Sequence, residues 1–380
     1  MPTSGLSLTE LLKAEAKRLG FVMSGVTPAV SPKGFVHLQS WIENGYAGEM
    51  RYLADRLHAY EHPRFVLDGV KSVLMLGFPY KTVEPATSDA GALTGRVARY
   101  AWGSSDYHDV LHDRLHQLAD WFRAQVSGAE VRGIVDTAPL LEREFAQLAG
   151  LGWVGKNTLL LNREQGSYFF LAALLTDVEL TADQPFVLDH CGSCTACLDA
   201  CPTKAFPAPH VLDATKCISY LTIELKGSIP EELREPMGDW FFGCDICQEV
   251  CPWNRKVPAL GEPPLQPRSG QNPFDLAALF SLDDEGFRKA FKKTPLWRPK
   301  RRGILRNAAI VLGNSRQEEA VGPLTAGLSD EEPLVREASA WGLAQVGGKQ
   351  AQMALQARLA VESDPQIIVV IQRHLGSFLS

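Results

Sequence analysis

Eight cysteines carry the clearest chemistry in this chain: Cys191, Cys194, Cys197, Cys201, Cys217, Cys244, Cys247 and Cys251, with none outside that window. A disulfide framework belongs to short exported chains. This chain has 380 residues, and its opening MPTSGLSLTELLKAEAKRLG mixes Glu and Lys in a helical pattern unlike an export signal. The thiols therefore point to metal.

Their spacing says which. Cys191, Cys194, Cys197 and Cys201, followed by Pro202, make a C-x2-C-x2-C-x3-C-P run. In ferredoxins with this run, three close thiolates wrap one cubane and the fourth reaches a second. Cys244, Cys247 and Cys251, followed by Pro252, repeat its end, with the first ligand displaced to Cys217. Exchanging the fourth ligands predicts one 4Fe–4S cluster on Cys191, Cys194, Cys197 and Cys251. The other falls to Cys201, Cys217, Cys244 and Cys247. Structural zinc is the competing use, but its knuckles pair C-x2-C units across a longer loop.

Outside the cysteines, Asp136 ends an apolar run (Glu130–Val135) and precedes Thr137-Ala138-Pro139 and a helical stretch. A carboxylate at a strand end can face a ligand crevice, or it can simply cap the helix. The glycine-rich Gly150-Leu151-Gly152-Trp153-Val154-Gly155-Lys156-Asn157-Thr158 is not a phosphate loop, because Asn157 follows Lys156 where Ser or Thr belongs. His108, His112 and His116 recur every fourth residue, which reads as a helix face and not a metal site. Asp106-Tyr107-His108 also fails the DxHxxG pattern of a protein histidine ligand to cobalt, since Leu111 stands where Gly belongs.

These groups need elements to hold them. Ser7 and Glu10 form a capping box that opens an amphipathic helix ending at Gly20. Apolar runs at Phe21–Val26, Ser72–Phe78, Val131–Val135 and Tyr168–Leu175 read as strands, with helical patterns at 34–43, 107–126 and 139–149 between them. That alternation predicts an α/β domain over 1–180, able to cover a large planar cofactor. The cysteine segment, 181–260, follows. Segment 257–273, rich in Pro, Gly and Gln, reads as a linker.

The rest of 261–380 is helical, with a repeat of about thirty residues. Arg306-Asn307-Ala308-Ala309 recurs as Arg336-Glu337-Ala338-Ser339, and Asp330, Pro333 and Val335 as Asp364, Pro365 and Ile367. Hydrophobic residues make up 45% and charged ones 22%, as in an ordinary globular chain. No apolar run approaches the roughly 20 residues of a membrane helix, so no membrane partner is expected. Net charge is −6, which argues against a general nucleic-acid coat. Yet residues 288–306 hold Arg288, Lys289, Lys292, Lys293, Arg298, Lys300, Arg301, Arg302 and Arg306 with no acid.

Several stretches, in order along nearly the whole chain, resemble one family. They are Arg99-Tyr100 with Gly103 and Asp106-Tyr107-His108, then Val135-Asp136-Thr137-Ala138-Pro139-Leu140-Leu141-Glu142, then Gly152-Trp153-Val154-Gly155-Lys156-Asn157-Thr158. Cys217 to Glu224, Gly243 to Asn254, and Arg298 with Arg301-Arg302-Gly303 and Leu305-Arg306-Asn307-Ala308-Ala309 complete the series. The chain thus resembles the epoxyqueuosine reductases, which finish queuosine synthesis on tRNA, and is similar in its expected cofactors to reductive dehalogenases.

The resemblance implies a base-off cobalamin against the N-terminal α/β domain, two 4Fe–4S clusters in a ferredoxin-like domain, and a HEAT-like C-terminal region that meets tRNA. It implies Asp136 as proton donor to the departing oxygen, with a carboxyl raised by burial. Cobalamin contacts are expected from Arg56, Tyr100, Asp136, Trp153, Lys156, Asn157, Ser219, Tyr220 and Asp245. Phosphate contacts are expected from Lys292, Lys293, Arg298, Lys300, Arg301, Arg302 and Arg306, with Trp297 stacking on a base. A cytoplasmic monomer drawing on an external low-potential electron donor is the expectation. A corrinoid reductase of a small molecule, or a plain electron carrier, are the alternatives, and a basic arm beside an α/β domain disfavours both.

Overall fold

The computed structural model describes residues 6–85, 93–267, 272–376 and 378. Strand Ser72–Pro79 is buried at all its positions, which explains why its sequence is apolar throughout and does not alternate. It lies between Met23–Pro28 and Phe169–Thr176, with Val131–Ile134 beyond the latter. Side chains of a strand alternate between faces, and both faces here are covered. Leu74, Leu76 and Phe78 pack with Leu111, Leu115 and Phe122 of helix Tyr107–Gln125 and Leu12 of helix Leu8–Arg18. Val73 and Met75 pack with Phe145 and Ala146 of helix Glu142–Leu148.

All three pairings in this sheet are antiparallel. The crevice expected at the ends of parallel strands therefore has no counterpart, and the position of Asp136 needs another cause. Val131–Ile134 is an edge strand, and the long helix reaches it closely: a Cβ on Gly133 would stand 2.8 Å from Cβ of Leu115. Helix and strand end side by side, with Tyr107 and Asp136 at the same end.

The cysteine segment is built on two matching short helices, Ala196–Asp199 and Ile246–Glu249, one inside each cysteine run. Strand Trp240–Phe242 joins Thr94–Val97, which also pairs with Phe274–Asp275. Buried amides tie the segment to the large sheet. Gln248 Nε2 donates to Tyr80 (3.1 Å) and Ser167 Oγ (3.0 Å), and Asn254 Nδ2 to Ser167 Oγ (3.0 Å).

The described part of the expected linker is strapped down: Gly261 N donates to Lys81 O (2.8 Å) and Leu265 is 2% exposed. Residues 268–271 of it lie outside the described residues. Beyond it, helices Lys300–Ser315, Val321–Gly327, Pro333–Val346, Gly348–Leu359 and Pro365–Gly376 make the expected helical repeats. The first and third cross so closely that a Cβ on Gly313 would come within 2.6 Å of the Gly342 Cα. Among the described residues no helix is long and apolar enough to cross a membrane.

The basic segment divides by burial. Arg306 is 1% exposed and donates to Leu221 O (2.6 Å), Leu225 O (2.9 Å) and Gly227 O (2.6 Å), so it is a structural arginine and not a phosphate contact. Arg301 is likewise engaged, on Leu282 O (2.8 Å) and Asp330 Oδ2 (2.6 Å). Trp297 is not free to stack on a base: its ring lies against Phe287 (5.7 Å, 24°), with Lys300 Nζ 4.1 Å from its centroid. Lys292, Lys293, Lys300 and Arg302 remain exposed.

Removing Arg306 strands three buried carbonyls. Arg306→Ala is expected to cost on the order of 3 kcal/mol or more, read as a lower denaturation midpoint. The double variant Lys292→Ala/Lys293→Ala should stay within about 0.5 kcal/mol of wild type. Equal stability of the two variants would refute the division.

Candidate active site and cluster-binding segment

Asp136 sits where the edge strand ends, with φ 55, a left-handed conformation uncommon for a residue with a side chain. It does not cap the following helix, which begins at Glu142 after Leu141 with no side-chain cap. Instead Glu142 Oε1 accepts from Asp136 N (2.9 Å), and Arg56 Nη1 donates to Thr137 O (3.3 Å). These bonds turn the carboxylate back toward the helix N-terminus. There Oδ2 receives Tyr107 OH at 2.9 Å, with His108 Nε2 at 3.5 Å and Arg298 Nη1 at 4.0 Å.

One hydrogen bond and two nearby cationic side chains at a single oxygen favour the anion. The hydrogen bond from His108 outweighs burial and, with Tyr107 and Arg298, holds the Asp136 carboxyl down at about 2. The sequence leads one to expect the opposite, a carboxyl raised by burial. Protons reside on its neighbours. Burial would lower His108, but hydrogen bonds to Asp106 and Asp136 carry it up to about 9. Glu142, pushed up by burial and by the charge of Asp136, reaches about 8.

Around Asp136 gather side chains from distant stretches. Tyr52, exposed, follows the start of helix Arg51–Asp55; its hydroxyl is raised to about 12 by burial and by Glu224. Burial also raises Tyr60, in the field of Arg56. Arg298 Nε lies 3.5 Å from Glu224 Oε1, so this arginine, expected on tRNA, instead stands beside the carboxylate. Tyr100 packs edge-on to Tyr107 (6.0 Å), and Ser219 is half-buried on helix Ile218–Ile223, ahead of Glu224.

The other expected cofactor contacts are committed elsewhere. Lys156 Nζ donates to Gly192 O (2.7 Å) and Cys194 O (3.0 Å), and Asn157 Nδ2 to Cys247 O (3.4 Å). Trp153 is buried against Phe186, His190 and Trp253. Tyr220 OH accepts from Glu49 N (2.7 Å), and Asp245, 2% exposed, accepts from Arg99 N (2.7 Å). They shape the cysteine segment and its seams, whereas Arg56 and Tyr100 stand beside the Asp136 loop and Tyr107.

The thiols fall into two sets. Cys191, Cys194, Cys197 and Cys251 border one cavity of about 230 Å³, walled also by Leu161, Pro252 and Trp253. Trp153 Nε1, buried with no hydrogen-bond partner, belongs to the apolar cluster that contains Cys251 and Cys191. Burial raises the Cys244 thiol, which also feels Cys217 and Cys201, and burial raises Cys247 beside Cys217 and Cys244. No three His, Cys, Asp or Glu side chains among the described residues are close enough to hold a single ion. Four thiols around a small volume suit a cubane, whose irons need one thiolate each.

Tyr107, His108, Glu142 and Arg298 are the functional neighbours of Asp136 that periodicity misses. His112 and His116 do share a helix face, rings 6.2 Å apart, but His108 turns to the carboxylate. The Asp106-Tyr107-His108 run, as part of a shared motif, is the signal that points to it.

Comparison with known proteins gives the following. Residues 61–137 match the family described as Epoxyqueuosine reductase QueG, DUF1730; residues 190–254 match the 4Fe-4S double cluster binding domain; residues 301–372 match HEAT repeats. An epoxyqueuosine reductase of Pseudomonas aeruginosa is 42% identical over 349 residues, spanning 91% of this chain and 96% of that one. A crystal structure of epoxyqueuosine reductase with an epoxyqueuosine-modified tRNA-Tyr stem loop has TM-score 0.92 and 30% identity, covering 98% of this chain and 99% of that one. The Bacillus subtilis enzyme, in a structure with its catalytic aspartate loop swung out of the active site, has TM-score 0.90 and 30% identity, covering 97% and 98%.

Lys156 supplies a test of the cysteine segment. Lys156→Met removes both bonds to the 192–194 loop and should shorten the lifetime of the protein's iron and sulfide in air by about threefold or more. Iron per chain after timed exposure reads the effect. An unchanged lifetime would show that the lysine does not brace the loop.

Proposed function

The chain belongs to the epoxyqueuosine reductase family, and from that premise we propose that it converts epoxyqueuosine to queuosine in the anticodon loop of tRNA. The observation that carries this reading is Asp136: a half-exposed carboxylate on a left-handed turn, with a proton-bearing partner in line. An aspartate loop is named catalytic in the Bacillus subtilis relative, which supports an aspartate in this role. Opening an epoxide to an alkene removes one oxygen as water and consumes two electrons and two protons. A base-off cobalamin beside Asp136 and two 4Fe–4S clusters would supply those electrons, taken from an external low-potential donor.

This chain's residues do the rest. Arg56, Tyr100 and Ser219 hold the cofactor's polar edge, and Tyr52 and Tyr60 wall the site with rings. The thiols of Cys191, Cys194, Cys197 and Cys251 hold one cluster, and those of Cys201, Cys217, Cys244 and Cys247 the other. Asp136 delivers a proton to the departing oxygen, which would otherwise leave as an anion. The base is reached in an exposed loop, where little unstacking is needed.

On the tRNA side, Lys292, Lys293, Lys300 and Arg302 are the phosphate contacts, since their cations are exposed and none is paired to the Asp136 carboxylate or buried in the helical region. A relative's structure contains an epoxyqueuosine-modified stem loop, which supports this partner. We divide the chain into a catalytic part (1–180), a cluster part (181–260) and a helical part (261–380). It works as a cytoplasmic monomer, where its tRNA substrate is.

The test is anaerobic: reconstituted protein, cobalamin, a low-potential reductant and tRNA carrying epoxyqueuosine, with nucleosides weighed by mass spectrometry. Wild type should lose one oxygen from the base, and Asp136→Ala should be slowed at least about 100-fold while binding cobalamin equally. No conversion with both clusters intact would sink the tRNA reading in favour of a small-molecule reductase. In a parallel titration, Lys292→Ala/Lys293→Ala should weaken tRNA binding and lower the salt dependence by about two counterions. An unchanged salt slope would move the tRNA to another face.

A further inference from the structure

Asp136 cannot donate a proton it does not hold, and the geometry around Oδ2 keeps it ionised. The proton must be stored beside it. We propose that His108 is that store: its imidazolium passes the Nε2 proton to Asp136 Oδ2 as the carboxyl releases one to the departing oxygen. This deepens the functional reading above and rests on it.

The imidazole is positioned from both sides. Asp106 is the N-cap of helix Tyr107–Gln125, and its Oδ1 accepts from His108 N at 3.0 Å. The same oxygen lies 2.7 Å from His108 Nδ1. A carboxylate on Nδ1 keeps that nitrogen protonated, so Nε2 is the nitrogen that exchanges, as in other Asp–His pairs. Nε2 is buried without a hydrogen-bond partner among the described residues, and the carboxylate oxygen it faces is Asp136 Oδ2, 3.5 Å away. The ring is clamped against Tyr107 (4.1 Å, 28°), whose own ring lies on Phe170 (4.2 Å, 7°). A helix cap therefore aims one imidazole nitrogen at one carboxylate oxygen.

The charged and titratable groups facing this pair come from every element packed on it. Asp106 and Asp136 favour the imidazolium; His112, one turn along, and Arg298, beyond Asp136, oppose it; Glu142, Tyr107 and, around Asp136, Tyr52, Tyr60, Tyr100 and Glu224 complete the set. The carboxylates win, and His108 stays protonated up to about 9. The raised value sets the sign: the proton is available below that pH and is lost as pH rises through it.

The balance is simple. His108 loses its Nε2 proton, Asp136 begins and ends as a carboxylate, and the substrate oxygen gains one O–H bond, supplying one of the two protons the reaction consumes. The imidazole, 20% exposed, is recharged from solvent. His108 acts through Asp136, which is the group that touches substrate.

Two measurements test this. In the full-length protein labelled with 13C-histidine, one imidazole resonance, absent from His108→Gln, should titrate near 9 and fall by roughly one unit or more in Asp136→Asn. This readout needs no turnover. In single turnovers of the cobalamin-loaded enzyme, His108→Gln should be about 100-fold slower with unchanged tRNA affinity, and should lose the alkaline limb of the rate. Asp106→Asn, which keeps the ring but loosens it, should fall between. A His108 resonance in the ordinary imidazole range overturns the proposal, as does His108→Gln with wild-type rate and pH profile. A wild type that leaves epoxyqueuosine untouched overturns the functional reading and takes the relay with it. Conversion by wild type and His108→Gln alike overturns the relay alone.

Discussion

An arginine with no access to water has to find its acceptors inside the protein, and Arg306 finds them in the turn that follows helix Ile218–Ile223. Asn307 adds bonds to Thr222 O (2.8 Å) and Phe241 O (3.0 Å). Leaving any of these buried groups unpaired costs more than the bond itself contributes. The first repeat helix therefore has one seating on the cluster segment. Arg298, just before that helix, is carried with it to Glu224 and Asp136. A contact inside the helical region thus places a cation at the Asp136 carboxylate more than 150 residues earlier in the chain.

The same economy runs through the rest of the molecule. Polar side chains near the clusters are spent on backbone carbonyls of the cysteine loops, as with Lys156 and Asn157, so that thiol positions are set before any iron arrives. Buried amides of Gln248 and Asn254 join that segment to the sheet through Ser167. The edge strand Val131–Ile134 ends without a partner beyond it, and this leaves the Asp136 loop room to turn. A sheet covered on both faces, a braced cluster segment and one loop on an open edge make up the scaffold around Asp136.

At Asp136, charge decides protonation. One carboxylate oxygen with a hydrogen bond and two nearby cationic side chains becomes the anion, and the proton settles on the imidazole between two aspartates. Glu142, which holds the backbone of the loop, is shifted the other way by burial. Acid and base roles are thus separated by environment among groups of similar intrinsic strength.

Much of this was legible in the residues alone. Cluster ligation follows spacing along the chain, so the double-cluster segment is readable without a fold. The central strand Ser72–Pro79 is readable because both sheet faces are buried there, and a buried strand is apolar along its length. Repeat period and capping box are local patterns too. Burial of charge is not local. Arg306 and Lys292 look alike in a basic run, and only packing shows that one is inside and the other in water. Tyr107 and Asp136 are 29 residues apart, and the antiparallel sheet, which no periodicity announces, brings them together. The direction of the Asp136 shift depended on summing fields from Tyr107, His108 and Arg298, residues that meet only once the chain is folded. Sequence determined which chemistry the chain carries; tertiary structure decided which group holds the proton, because protonation is set by distances between groups far apart in the chain.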